Sequence, residues 1–257
     1  MLDGISQALA VRDWDLLVTT IAAPDNELEA YERLVDSGKI SGLIVTRTRS
    51  EDPRVAFLKS AGLPFVVHGR TRDATDYAWL DIDNEKAFAD AVGHFAALGH
   101  QRVALISASP EFNFSRLRIE GYINGLAQCC LPARTGYIAE ADLSAEGGRH
   151  AMAALLELKE RPTAVICVSD SVAIGAMQAI RSCNLQVGRD VSVIGYDGLP
   201  LGAYSDPPLT TMTQNVIQTG RRLTEILLAI IDGAAAEDFQ EIWHARLVRR
   251  ASDGPPR

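Results

Sequence analysis

Residues Val165 to Gln214 read VICVSDSVAIGAMQAIRSCNLQVGRDVSVIGYDGLPLGAYSDPPLTTMTQ, and this stretch decides the fold. Val165 to Val168 is an apolar, partly β-branched run of strand length. Ser169 and Asp170 follow, both good helix N-caps. Ala173, Ala176, Met177 and Ile180 then recur three and four residues apart, which is one face of a helix. A second strand, Val191 to Ile194, ends in Gly195-Tyr196-Asp197-Gly198. The unit is strand–helix–strand, with polar residues at the C-terminal ends of both strands. Ligands of open α/β sheets bind just outside those ends. Asp170 and Asp197 are therefore candidate ligand contacts. The alternative is that Asp170 is only a cap and Asp197 only a turn residue, and spacing leaves both readings open.

The same alternation extends outward. Toward the N-terminus the expected elements are a helix over Leu2 to Arg12, a strand over Leu16 to Thr20 and a helix from Asp25 to Ser37. A strand, GLIV, lies within Lys39 to Thr46, a helix over Pro53 to Ala61 ends at Gly62, and a strand over Leu63 to His68 runs into Gly69-Arg70. Next come a helix over Lys86 to Leu98, a strand over Arg102 to Ser107, a helix over Arg118 to Leu126, a strand within Gly136 to Ala141 and a helix over Ala145 to Lys159. Beyond the central unit, Val216 to Ile231 reads as a helix and Ile242 to Val248 as a strand. Alternating strands and helices with short connections imply α/β architecture with parallel sheets covered by helices.

Composition narrows the function. The chain has 257 residues, 47% hydrophobic and 23% charged, enough for two small α/β domains. A net charge of −8 is unsuited to neutralising phosphates, so this chain by itself is not expected to bind DNA. No apolar run is long enough to span a membrane, and the N-terminus lacks the layout of a secretory signal. The four cysteines form no CxxC pair, so reduced thiols and no metal site are expected. His68, His94, His100, His150 and His244 lie in no HExxH pattern, and GxSxG, GxGxxG and Walker loops are missing. Neither an enzyme nor a cofactor is expected.

The runs SDSVAIGAMQAI, DVSVIGYDGLP and DPPLTTMTQ resemble the signature of the lactose-repressor (LacI/GalR) family of transcription regulators. IDNEKAFADAVGHFAALGHQRVALI and RIEGYINGL are similar to further runs of that family. The resemblance covers nearly all of Leu2 to Pro256. It implies two Rossmann-like parallel-sheet subdomains of the periplasmic-binding-protein type, joined by three crossovers near Asp83, Gln214 and Ile242. On that reading the first subdomain comprises residues 1–82 and 215–242, the second residues 83–214 and 243–257. Members begin with a strand before the first helix and carry a helix-turn-helix headpiece. Neither is read here, so a preceding segment is expected to be missing.

The resemblance also implies the site. The Arg of R-x-x-G-[YFW] and the Asp of GYD contact the effector in the family, which places those roles on Arg118 and Asp197. Arg70 follows a strand where members often place a further contact. Ser169 stands where many sugar-responsive members have Asn beside the residue matching Asp170. Some members stack an aromatic on the sugar from the segment matching ADLSAEGG. Here that segment offers Leu143, and Phe114 or Phe112 takes the aromatic role. Bidentate carboxylate and guanidinium groups with an aromatic wall suit a molecule rich in hydroxyls. Arg118 and Asp197 are both expected to be partly exposed. The implied protein is the effector-binding and dimerisation core of a cytoplasmic homodimeric regulator. It binds a sugar or sugar derivative in the cleft and operator DNA through the headpiece. Repressor and activator are not distinguished. The alternative is a periplasmic sugar-binding protein of a transport system, which predicts a monomer.

Overall fold

A computed structural model describes residues 1–19 and 27–257. The chain divides into two compact units, Met1–Asp81 with Asn215–Trp243, and Ile82–Gln214 with His244–Arg257. It therefore passes between the units three times.

The first unit contains helices α1 (Leu2–Ala10), α2 (Glu27–Asp36) and α3 (Pro53–Ala61), strands β1 (Leu43–Val45), β2 (Phe65–His68) and β3 (Ala78–Ile82), and, further along the chain, helix α9 (Val216–Ile231) and strand β9 (Gln240–Trp243). The strand order is β1-β2-β3-β9, with β1, β2 and β3 parallel. Strand side chains alternate between faces, and both faces are covered. Val66, Ala78 and Leu80 pack on Leu223, Ile226 and Leu227 of α9. Phe65, Val67 and Trp79 pack with Tyr31, Val55 and Leu58 on the other side. This double burial explains the continuous apolar reading of PFVVH.

The second unit contains α4 (Asn84–Ala97), β4 (Val103–Ser107), α5 (Asn113–Gln128), β5 (Ile138–Glu140), α6 (Ala145–Leu156), β6 (Ala164–Cys167), α7 (Asp170–Ser182), β7 (Ser192–Asp197), α8 (Pro200–Ala203), β8 (Thr210–Thr213) and β10 (Arg246–Val248). Its strands run in the order β10-β8-β7-β6-β4-β5, all parallel except β10, which is antiparallel to β8. Helices α6 and α7 bury Met152, Leu155, Ala173, Met177 and Ile180 against Ala104, Ile106, Val165, Cys167 and Val193. Helices α4 and α5 pack together and against β6 and β4. A last segment closes the sheet from below: Val193 donates its N–H to Ser252, Ser252 Oγ accepts from Thr210 N–H and donates to Val193, and Gly254 exchanges bonds with Ser192.

Three elements differ from the sequence expectation. Leu16 to Thr19 are not a strand, because no described strand offers them a ladder, and Leu17 and Val18 lie exposed. Thr20 and the expected helix start at Asp25 lie outside the described residues. Ile242 to Val248 is not one strand but the end of β9 and all of β10, which sit in different sheets because the chain changes units after Trp243. Helix α5 starts at Asn113 rather than Arg118 and so carries Arg118 in its second turn.

Close approach of α4 and α5 requires Gly121, since a Cβ there would run into the Glu85 carbonyl oxygen, whereas a Cβ at Gly93 meets nothing within 4 Å. Gly121→Ala is expected to cost at least ~2 kcal/mol through overpacking, while Gly93→Ala is expected to be neutral or to gain up to ~1 kcal/mol. Urea unfolding of the two variants side by side checks both.

Candidate functional site

In the second unit, the C-terminal ends of the parallel strands β4, β6 and β7 face the start of α5, where Arg118 projects. Arg118 is buried, 7% exposed, contrary to the expectation of a partly open side chain. A guanidinium out of water needs acceptors and finds two. Nε donates to Asn84 Oδ1 (2.8 Å) and Nη1 to the Val168 carbonyl oxygen (2.6 Å). Its plane lies over Tyr196 (3.7 Å to the ring centroid), with Phe114 at 4.9 Å and Phe88 at 5.4 Å. These aromatic faces favour a desolvated cation. Nη2 donates to no described residue, so one edge of the fork is left over.

Asp197 ends β7 with φ +107°, a conformation that side chains rarely adopt. Strain of this kind is held in place by surrounding structure and marks sites that use it. Gln214 supplies part of that structure: its Nε2 donates to Asp197 Oδ1 (2.8 Å). Burial raises the Asp197 pKa above the usual carboxylate value, and the Arg118 charge and the Gln214 amide pull it back only in part. Arg118 and Asp197 thus feel each other, yet no ion pair within 4.0 Å joins them. Gln214 Oε1 is buried with no hydrogen-bond partner among the described residues.

Asp170 has a different fate. It has no exposed surface. Oδ1 accepts from Thr211 Oγ1 (2.6 Å) and Oδ2 from Leu199 N–H (2.6 Å), so the carboxylate that the sequence offers as a ligand contact is already engaged in joining α7 to β8 and to the turn after β7. Gly195 makes room for it, since a Cβ there would run into Asp170 Oδ1. Ser169 is the N-cap of α7, with Oγ accepting from Val172 N–H (3.3 Å).

Phe114 stacks on Phe112, with centroids 5.5 Å apart, and walls one side of Arg118. Leu143 packs against the core below α6 and α7. Arg70 belongs to the first unit, where it pairs with Asp81 (3.2 Å) and lies over Trp79 (5.3 Å). The second unit thus brings together Arg118, Asp197 and Phe114, with Ser169 next to the Val168 carbonyl. Sequence reasoning missed Asn84, Tyr196 and Gln214. Gln214 was open to detection, because it follows strand β8 as Asp197 ends β7. Asn84 gave no signal beyond a helix start. Among the described residues no group of three or more His, Cys, Asp or Glu could hold a metal ion, and no helix is long and apolar enough to cross a membrane.

Residues 92–252 match the periplasmic binding protein-like domain family. The two sheets and the strand-end site define a small-molecule-binding domain of that class. The chain is similar to the HTH-type transcriptional regulator AglR of Rhizobium meliloti (strain 1021), 34% identical over 258 residues that cover 99% of this chain and 72% of the relative. A solved regulatory protein of the LacI family from Chloroflexus aggregans is 32% identical with a TM-score of 0.86, over 98% of this chain and 91% of that one. The transcriptional regulator CelR in complex with cellobiose is 25% identical with a TM-score of 0.89, over 98% and 77%. The chain belongs to the LacI family of transcriptional regulators, of which it forms the effector-binding domain. These relatives are regulators, not enzymes.

Burial pushes the Asp170 carboxyl up to about 6 against the hydrogen bonds from Thr211 and Leu199. The folded state then holds this proton more tightly than the unfolded chain does. The group's contribution to stability is present below about pH 4 and is lost as pH rises through about 6, a change of up to roughly 3 kcal/mol. Asp170→Asn removes the titrating group, so the stability of the wild type relative to this variant should fall across that window. Denaturant titrations from about pH 4 to about pH 7 check the sign.

Proposed function

We propose that Arg118 and Asp197 bind a hydroxyl-rich effector, a sugar or sugar derivative. The observation that carries this reading is a guanidinium and a carboxylate that share a field without touching. A hydroxyl placed between them donates to the carboxylate and accepts from Nη2, and the unpaired Gln214 Oε1 takes a second hydroxyl proton. The face of Phe114 offers an apolar wall. Arg70, on the first unit, is the further contact in this reading, and Ser169 adds a hydroxyl. Asp170 acts from behind, by fixing the turn that carries Asp197. The relative CelR was solved with cellobiose, which agrees with a carbohydrate ligand. Effector binding then alters operator binding by a helix-turn-helix headpiece. This requires different effector affinity in the operator-competent and incompetent states.

Calorimetric titration with a panel of neutral mono- and disaccharides, cellobiose among them, tests the ligand class. At least one should bind. Binding confined to purines or to anionic metabolites would overturn the carbohydrate reading. With the sugar that binds, Asp197→Asn and Arg118→Ala should each weaken affinity by roughly ten- to hundredfold, the cost of removing one partner of a charge-assisted hydrogen bond. Arg118→Ala should also lower the melting temperature, because it leaves Asn84 and the Val168 carbonyl without their donor. Asp197→Asn relieves the cost of burying a charge and should not.

We further propose a cytoplasmic homodimer. Leu201 and Tyr204, 63% and 86% exposed beside α8, and Leu2 and Val11 on α1 and just after it, are large apolar groups left in water. Palindromic operators need two-fold symmetry. Sedimentation at micromolar concentration should give a dimer, and Tyr204→Asp should shift it toward monomer. A wild-type monomer would favour the periplasmic transport-protein alternative.

A further inference from the structure

The chain leaves and enters the second unit at Ile82, Gln214 and His244. Each of these points is tied by side chains to the residues around it. At the first, Asn84 is 2% exposed and bridges two groups: Oδ1 accepts from Arg118 Nε (2.8 Å), and Nδ2 donates to the carbonyl of Ile82 (2.8 Å). At the second, the Gln214 side chain donates to Asp197 Oδ1 (2.8 Å). At the third, His244 Nδ1 stands 3.7 Å from Oδ2 of Asp83, the N-cap of α4 and the neighbour of Asn84. The two groups assigned to the effector are thus each one side chain away from a crossover backbone.

We propose that Asn84 is a positioning residue that couples the Arg118 guanidinium to the first crossover, and that Gln214 couples Asp197 to the second. Asn84 suits this role by geometry. An amide is the smallest side chain that accepts from a guanidinium and at the same time donates to a main-chain carbonyl. When a ligand draws Arg118 toward Nη2, the Nε bond moves with it, and Asn84 passes the displacement to the Ile82 peptide. Asp197 and Gln214 repeat the arrangement with the charge reversed. Coupling between two places is reciprocal, so a change at Arg118 must show in the stability of the crossover even without ligand. The inference rests on the effector reading of Arg118 and Asp197.

Amide hydrogen exchange on the ligand-free 257-residue protein tests it. Arg118→Ala should quicken exchange over residues 82–87 on the order of tenfold, as expected for the loss of one charge-assisted bond. Asn84→Ala should do the same, and the double variant should add little, because both break one chain of bonds. Strand β6 should keep its wild-type protection. Should Asn84→Ala fail to fold, Asn84→Asp keeps the shape and the acceptor for Arg118 and loses only the donor to Ile82. It should quicken the same amides. Unchanged exchange at 82–87 in Arg118→Ala, multiplicative effects in the double variant, or equal quickening in β6 would each overturn the proposal and leave Asn84 a purely structural residue. Because no ligand is present, a failure here is distinct from a failure of the sugar titrations.

Discussion

The burial of the Arg118 guanidinium constrains everything around it. A cation removed from water must be given acceptors and polarisable faces, or it destabilises the fold by several kcal/mol. The second unit supplies them from separate parts of the chain: Asn84 from the start of α4, the Val168 carbonyl from the end of β6, and the rings of Phe88, Phe114 and Tyr196. Close packing of α5 on α4 brings the first of these within reach, and the absence of a side chain at Gly121 allows that packing. The arrangement fixes the guanidinium in place before any ligand arrives. A ligand that meets a fixed donor does not have to order it, which is how preorganisation improves affinity.

The two carboxylates at neighbouring strand ends show how one pattern serves opposite purposes. Asp170 and Asp197 were indistinguishable as candidates, each a polar residue just past an apolar run. Asp170 is enclosed and its oxygens are met by Thr211 and Leu199, so its work is to hold the turn. Asp197 holds an unusual backbone angle and keeps lone pairs without protein donors. What separates them is the third dimension: Thr211 lies 41 residues from Asp170 and Leu199 lies 29, and no local spacing reveals either bond.

Much of the fold was legible because both sheets are buried on two faces. Runs such as FVVH, VALIS and AVIC leave little else to be, and helices α4, α7 and α9 carry clear apolar stripes. Reading failed where a strand depends on a distant neighbour. Leu16 to Thr19 have strand composition and no described ladder, and β9 and β10 form one apolar run divided between two sheets. At the site, the resemblance supplied Arg118 and Asp197, while their exposure was misjudged. Asn84 was invisible because its role is to be a link between two groups, and nothing in the local sequence IDNE states what lies opposite.

Neither unit is a continuous piece of chain. The sheet of the second is closed by β10 and by Ser252 and Gly254, which bond to Val193, Thr210 and Ser192, and the first unit takes back α9 and β9 after more than half of the chain has passed. On the ribosome, residues 82–214 emerge with the lower ends of β7 and β8 unpaired and stay so until Gly254 has cleared the exit. Synthesis therefore cannot complete one unit before starting the next, as it does for beads on a string. The nascent chain carries open sheet edges for most of its translation, and final assembly of both units falls together, at its close.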